Sequence, residues 1–182
     1  MSTAVETTQT LPAGQWSVDS VHSHVGFAVE YMGGTFRGTF SPIEATLGVA
    51  QDGSATLVGR VPVEGVRVQD ENLAAHLQTP EFFDAERAPE ISFTSSRIQR
   101  SGQEVTIEGE LAIKGNTLPV RATGTVGDPA PDPYGGERFA LNVRATIDRT
   151  RFGLNWNNPL PSGESALAND VELTAELYLV RA

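Results

Sequence analysis

Three histidines, His22, His24 and His76, with Asp19, Ser23, Arg149 and Arg151, are the residues of this chain whose types and spacing invite chemistry. His22-Ser23-His24 on a strand sets both imidazoles on one face, the arrangement of a metal pair with Asp19 or His76 as third ligand. The competing reading has His22 hydrogen-bonding locally to fix a turn while His24 faces outward; on that reading, the one adopted, no metal is expected. Ser23 beside two histidines and Asp19 suggests a hydrolase. Yet there is no nucleophile elbow and no Gly-rich oxyanion loop, and neighbours on a strand point to opposite faces. Arg149 and Arg151, at the end of a long strand, are candidates to receive a phosphate or carboxylate head group. The blander reading pairs them at the surface with some of the 23 acidic residues. No catalytic residue is assigned.

Composition narrows the classes further. A chain of 182 residues is one β-domain, long enough to build a core without a staple. The absence of cysteine excludes thiol catalysis, cysteine-ligated zinc and disulfides together. A net charge of −10 argues against a nucleic-acid partner and against adsorption to anionic membranes, leaving at most a transient membrane contact. Residues 1–13 are polar and read as disordered, and the domain as 14–182. The N-terminus has neither a basic region nor an apolar run, so the expected location is the cytoplasm. No segment approaches the ~20 apolar residues of a membrane span.

The elements that must position these residues are strands. Period-two alternation marks Gln15–Asp19, His24–Tyr31, Thr35–Val49 with a break at Ser41-Pro42, Ala55–Val68 with Pro62, Glu90–Gln99, Glu104–Lys114, Thr117–Val126, Arg138–Asp148 and Val171–Arg181. Gly127–Gly136 reads as a surface loop and Thr150–Ala168 as irregular. The exception is Asp70–Asp84. Asp70 caps a short helix ending near Gln78, and Thr79-Pro80 opens a helical turn carrying Phe82 and Phe83. Of two adjacent phenylalanines on a turn, one is expected to anchor the insert and one to line whatever lies beneath.

About eight strands with one apolar face each must bury that face, and local hairpin connections favour a closed antiparallel barrel over a sandwich. Such a barrel is either filled by side chains or wide enough for one small ligand. Gly38, Gly59, Gly109, Gly124, Ala122, Ala145 and Ala175 fall on or near the apolar register, so the interior is short of side chains and a cavity is expected. The alternative is that these glycines relieve strain where the sheet coils.

An ordered set of motifs then points to a family. Trp16-Ser17-Val18-Asp19-Ser20-Val21-His22-Ser23 resembles the W-x-(hydrophobic)-D-x-x-H-S opening of the YceI-like proteins, lipid- or polyisoprenoid-binding relatives of the lipocalins. His76-Leu77 through Phe82-Phe83-Asp84 resembles their HL-x-x-x-x-FFD block, and Pro89–Phe93 the P-x-I-x-F strand after it. Gly109–Val120 is similar to the G-x-L-T-I-x-G-x-T-x-P-V hairpin, Arg149–Leu154 to R-x-x-F-G, and Asn169-Asp170-Val171 to the start of the last strand. Two departures from the family are present: Leu73-Ala74 stands where many members carry Arg-Asp, and Tyr31 where many carry His. The mouth is accordingly expected to be greasier than in those relatives.

The resemblance, over about residues 14–180, implies an all-β fold: an extended eight-stranded antiparallel lipocalin-like barrel with one short helical insert (about 70–84). It implies a long apolar tunnel, frequent homodimers and no established catalytic activity. The expected function is binding, storage or carriage of a polyisoprenoid, isoprenoid quinone or fatty-acyl lipid, with no cofactor beyond that lipid. The expected lining is Val25, Phe27, Val29, Tyr31, Phe36, Phe40, Phe82, Phe83, Ile91, Phe93, Leu111, Ile113, Phe139, Leu141, Phe152 and Trp156, with His76, Arg149 and Arg151 as head-group candidates. The rivals are a lipocalin-like isomerase, which needs an ionisable residue facing the tunnel, and a filled barrel acting as a stress-related scaffold.

Overall fold

Alternating segments become strands throughout the computed structural model, which describes residues 10–182. The strands are β1 (Gly14–Val18), β2 (His24–Tyr31), β3 (Gly34–Phe40), β4 (Glu44–Val49), β5 (Ala55–Pro62), β6 (Val66–Arg67), β7 (Glu90–Ser101), β8 (Glu104–Ile113), β9 (Asn116–Val126), β10 (Ala130–Pro131), β11 (Glu137–Asp148) and β12 (Leu167–Arg181). Among the described residues there is one α-helix, α1 (Glu71–Leu77), between β6 and β7.

Apart from the two-residue β10, these pieces make eight staves, because three staves are broken in two. β12 pairs with β1 through Leu179–Arg181 and with β2 through Leu167–Glu176. β1 then pairs with β4 while β2 pairs with β3, and β4 and β3 pair with β5 and β6 in turn. The ladder continues β5–β7–β8–β9–β11, and β11 closes the barrel on β12 over Arg138–Asp148. The breaks lie beside one another at Asp19–Ser23, Ser41–Ile43 and Val63–Gly65, matching the sequence interruptions at Pro42 and Pro62. Ser41 N–H donates to Gly65 O at 3.0 Å there, and a Cβ on Gly65 would lie 1.9 Å from Ser41 O, so only glycine fits this crossing.

The wall is not laddered between β6 and β7. β5 pairs with β7 only as far as Pro62 opposite Glu90, and Val63 N–H adds one bond to Pro89 O. The chain linking them packs Leu77, Phe82 and Phe83 of the insert against the core instead. Asp70 caps α1 as expected, its carboxylate accepting from Leu73 N–H at 2.9 Å. The helix stops where Thr79 precedes Pro80, a position that disfavours helical backbone. Residues 79–84 are a run of turns rather than a helical turn. The Thr79 hydroxyl does not cap forward but donates back to His76 O at 2.6 Å.

Buried side chains fall into two clusters. One centres on Trp16, Leu47, Ile107, Leu141 and Leu179 and closes one end, where Trp16 meets Phe139 edge-on at 4.7 Å. The other, at the opposite end, holds Val29, Leu111, Ile113, Ile147, Phe152, Leu154, Leu167 and Val171. Leu11 is buried in the first cluster, and Pro12 O and Ala13 O accept from Trp16 Nε1 and Arg181. The expectation of disorder over 1–13 therefore fails at Leu11–Ala13, which are packed, and its residues 1–9 lie outside those described. β10 adds a two-residue ladder to the expected 127–136 loop, and β12 begins at Leu167 with a bulge before Val171. No described helix is long and apolar enough to cross a membrane. Outward positions on β8, β11 and β12, such as Glu108, Glu110, Arg144, Glu172 and Glu176, are charged, the reverse of a lipid-facing barrel wall.

Candidate functional site

Between the two clusters the barrel is hollow. A cavity of about 410 Å³, within the range of small-molecule sites, runs from the level of Leu57 and Ile107 to the level of Leu154 and Trp156. Its walls come from the inward register of the staves: Val25, Phe27 and Val29 of β2, Ile91 and Phe93 of β7, Val143, Ala145 and Ile147 of β11, and Leu173, Ala175 and Leu177 of β12. Several of these keep partial accessibility despite facing inward, because they border the void rather than a neighbour. Small residues at this level, Ala45, Gly59, Ala122, Ala145 and Ala175, supply the room.

Not every small residue on the register does so. A Cβ on Gly109 would lie 2.4 Å from Thr94 O and 2.6 Å from the Phe93 ring, and one on Gly124 would lie 1.8 Å from Asn142 O. Those glycines answer to close packing of the coiled wall, the alternative reading, whereas Gly59 has only Ala45 Cβ and a carbonyl oxygen at 3.6 Å and opens the cavity.

The insert roofs the cavity. Leu73, His76, Leu77, Phe82 and Phe83 all border it, so both phenylalanines line and neither is only an anchor. They diverge: Phe83 meets Phe40 edge-on at 5.7 Å, and Phe82 lies 5.3 Å from Trp156 and 5.0 Å from His76. Lys114, on the β8–β9 turn, ties the roof down by donating to Pro80 O at 2.7 Å and Gly153 O at 3.2 Å.

Of the expected lining, Val25, Phe27, Val29, Tyr31, Phe36, Phe40, Phe82, Phe83, Ile91, Phe93, Leu111, Ile113 and Trp156 border the cavity. Phe139, Leu141 and Phe152 do not. Phe139 and Leu141 share the register of Val143 but sit one level lower, in the closed end with Trp16. Phe152 is buried in the other cluster, on the 3-10 turn Arg149–Phe152. Val143 and Leu173 also line the cavity, on strand faces that the sequence marks as apolar, while Ala122, Ala145 and Ala175, expected only as gaps on that register, and Leu73, expected only as a mouth position, border it as well.

The head-group candidates part company. Arg149 is 5% exposed and borders the cavity, but its guanidinium donates to Leu154 O, Trp156 O, Leu167 O and Ala168 O at 2.5, 2.8, 3.3 and 2.8 Å. Burial pulls it below its ordinary pKa, a shift opposed by nearby Asp148. Its work is to fix the 153–168 loop, and with it Trp156, over the cavity. Arg151 is exposed and does not border the cavity. His76 does, and its Nε2 lies 2.5 Å from a Glu81 carboxylate oxygen.

The remaining candidate chemistry is structural. His22 Nδ1 lies 2.6 Å from Asp19 Oδ2, Arg138 reaches the same oxygen at 3.3 Å, and Ser23 Oγ accepts from Tyr178 N–H at 2.9 Å. This cluster fastens the β1–β2 break. The His22 contact, with two backbone N–H groups, holds the Asp19 carboxyl below the usual carboxylate range. Among the described residues no three ligating side chains come together as a metal site.

Comparison with known proteins matches this geometry to a family. The model of the YceI-like domain matches residues 16–179. Protein YceI of Salmonella arizonae is 27% identical over 172 residues, covering 91% of this chain and 90% of that protein. Among solved structures, BcnA of Burkholderia cenocepacia superposes with a TM-score of 0.74 at 22% identity, covering 88% of this chain and 98% of that one. A polyisoprenoid binding domain from Saccharophagus degradans, described as implicated in plant cell wall breakdown, gives 0.68 at 12% identity over 92% of this chain and 98% of its own. Those structural likenesses establish the fold, a closed antiparallel barrel with one short helix, and the domain match, running from Trp16 in the closed end to Leu179 on the closing strand, places the chain in the YceI-like family.

Proposed function

We propose that this protein binds a long apolar lipid, a polyisoprenoid, isoprenoid quinone or fatty-acyl chain, inside the barrel, and stores or carries it without transforming it. The observation that carries the reading is the roofed 410 Å³ cavity whose walls are aliphatic and aromatic side chains. Such a void costs the empty protein stability and gives back dispersion and burial when an apolar chain fills it. The family match, and the polyisoprenoid binding domain among proteins of the same fold, support it.

Organic extraction of the purified protein followed by mass spectrometry tests the reading. A stoichiometric apolar lipid is expected, and the same preparation of Ala145→Phe, which fills the cavity at mid-height, is expected to carry little. Equal lipid in both would place it outside the barrel. One observation favours a second reading, the isomerase: His76, paired with Glu81, borders the cavity. Extracted lipid that changes structure on incubation with wild type but not with His76→Gln would decide for it. A homodimer and a transient membrane contact for loading complete the proposal.

A further inference from the structure

The polar groups at the roofed end divide into spent cations and available neutral donors. Arg149 is held by four backbone carbonyls and Lys114 by two. Arg60, whose strand borders the cavity, turns its guanidinium to Glu44 at 2.5 Å and Glu90 at 4.0 Å on the exposed face. His76 is matched by Glu81, whose own charge stands beside the mouth. Leu73 borders the cavity as an apolar side chain.

Two groups remain. The Tyr31 hydroxyl and the Trp156 indole N–H both belong to cavity-lining residues, and neither donates to another described residue. They are brought to one rim: Tyr31 pairs across the ladder with Leu167, whose backbone N–H and C=O are both bonded by Asn157, the residue after Trp156. A neutral oxygen placed there gains a hydrogen bond. A phosphate or carboxylate placed there gives up its hydration, finds Arg149, Lys114 and Arg60 already bonded within the protein, and has the Glu81 carboxylate for a neighbour through His76.

We propose that this mouth selects an uncharged lipid head, one ending in a hydroxyl or carbonyl oxygen, over the same tail ending in phosphate or carboxylate, with Trp156 and Tyr31 as the specificity-determining donors. This rests on the reading of the cavity as a lipid site.

The test compares matched tails on the purified, delipidated protein: geranylgeraniol against geranylgeranyl phosphate, and hexadecanol against hexadecanoate, by native mass spectrometry and ligand-induced thermal shift. The alcohols are expected to bind at least about tenfold more tightly, as a single hydrogen-bonded head discriminates by ~1.4 kcal/mol or more. Trp156→Phe with Tyr31→Phe, which keeps both rings, is expected to reduce that preference severalfold while the phosphate affinity stays put. Leu73→Arg, which installs a free cation at the mouth, is expected to raise phosphate affinity about tenfold. Phosphate or carboxylate binding as tightly as the alcohols to wild type would overturn the head-group inference and leave the lipid site standing. Failure of every probe to bind would overturn both.

Discussion

Arg149 looks in the sequence like a ligand-binding cation and behaves in the structure like a staple. Its charge is buried and solvated by the carbonyls of Leu154, Trp156, Leu167 and Ala168. Removing it leaves those acceptors without their donor, and bonds to a charged group contribute about 1.5–3 kcal/mol each before relaxation. Arg149→Met is therefore expected to lower unfolding free energy by on the order of 3 kcal/mol in chemical denaturation, with Arg149→Lys recovering part of it through fewer, less forked donors. Leu111 gives the complementary case. It is 7% exposed and borders the cavity, so Leu111→Glu puts an unpaired carboxylate among hydrocarbon walls. The expected outcome is loss of co-purified lipid at a folded far-ultraviolet circular dichroism spectrum. A full lipid load in that variant would mean the ligand lies elsewhere.

At the scale of elements, the 3-10 turn after β11 is what delivers Arg149, and Asp148 caps it through Thr150 Oγ1 at 2.6 Å and Thr150 N–H at 3.0 Å. The Thr150 hydroxyl, helped by the Thr150 N–H, holds the Asp148 carboxyl below the usual carboxylate range. A depressed folded pKa means the stabilisation is complete above the unfolded value of ~3.9 and disappears as pH falls through the lower folded one. Wild type should thus lose stability over that acid window, whereas Asp148→Asn should start lower at neutral pH and show a shallower acid limb in urea titrations at stepped pH. The strands themselves were readable because each keeps one apolar face, and Pro42 and Pro62 announced two of the three stave breaks. The turn after α1 was not, since whether Thr79 caps forward or bonds back to His76 O depends on where Phe82 and Phe83 must go. Depth along the barrel was unreadable for the same reason: Phe139 and Val143 share one face of β11, and only closure against β12 and Trp16 decides that the first is plugged and the second lines the cavity.

Considered whole, the barrel sets stability against capacity. Its two clusters pack to exclude water, while the level between them keeps Ala122, Ala145 and Ala175 where larger side chains would fill the space. Dispersion contacts missing around a void are recovered either by a ligand or by larger side chains, and the two routes exclude each other. Filling the cavity from within, by Ala122→Leu with Ala145→Leu, is expected to raise the melting temperature of the delipidated protein. The cost is the ligand response. Wild type saturated with geranylgeraniol at a hundredfold over its dissociation constant gains about 2.7 kcal/mol, a rise of several degrees for a chain of this size. The filled variant should melt at one temperature with or without the alcohol. Were the variant to melt higher and still respond fully, the stabilising contacts and the binding site would be different places, and the hollow level of the barrel would not be where the lipid sits.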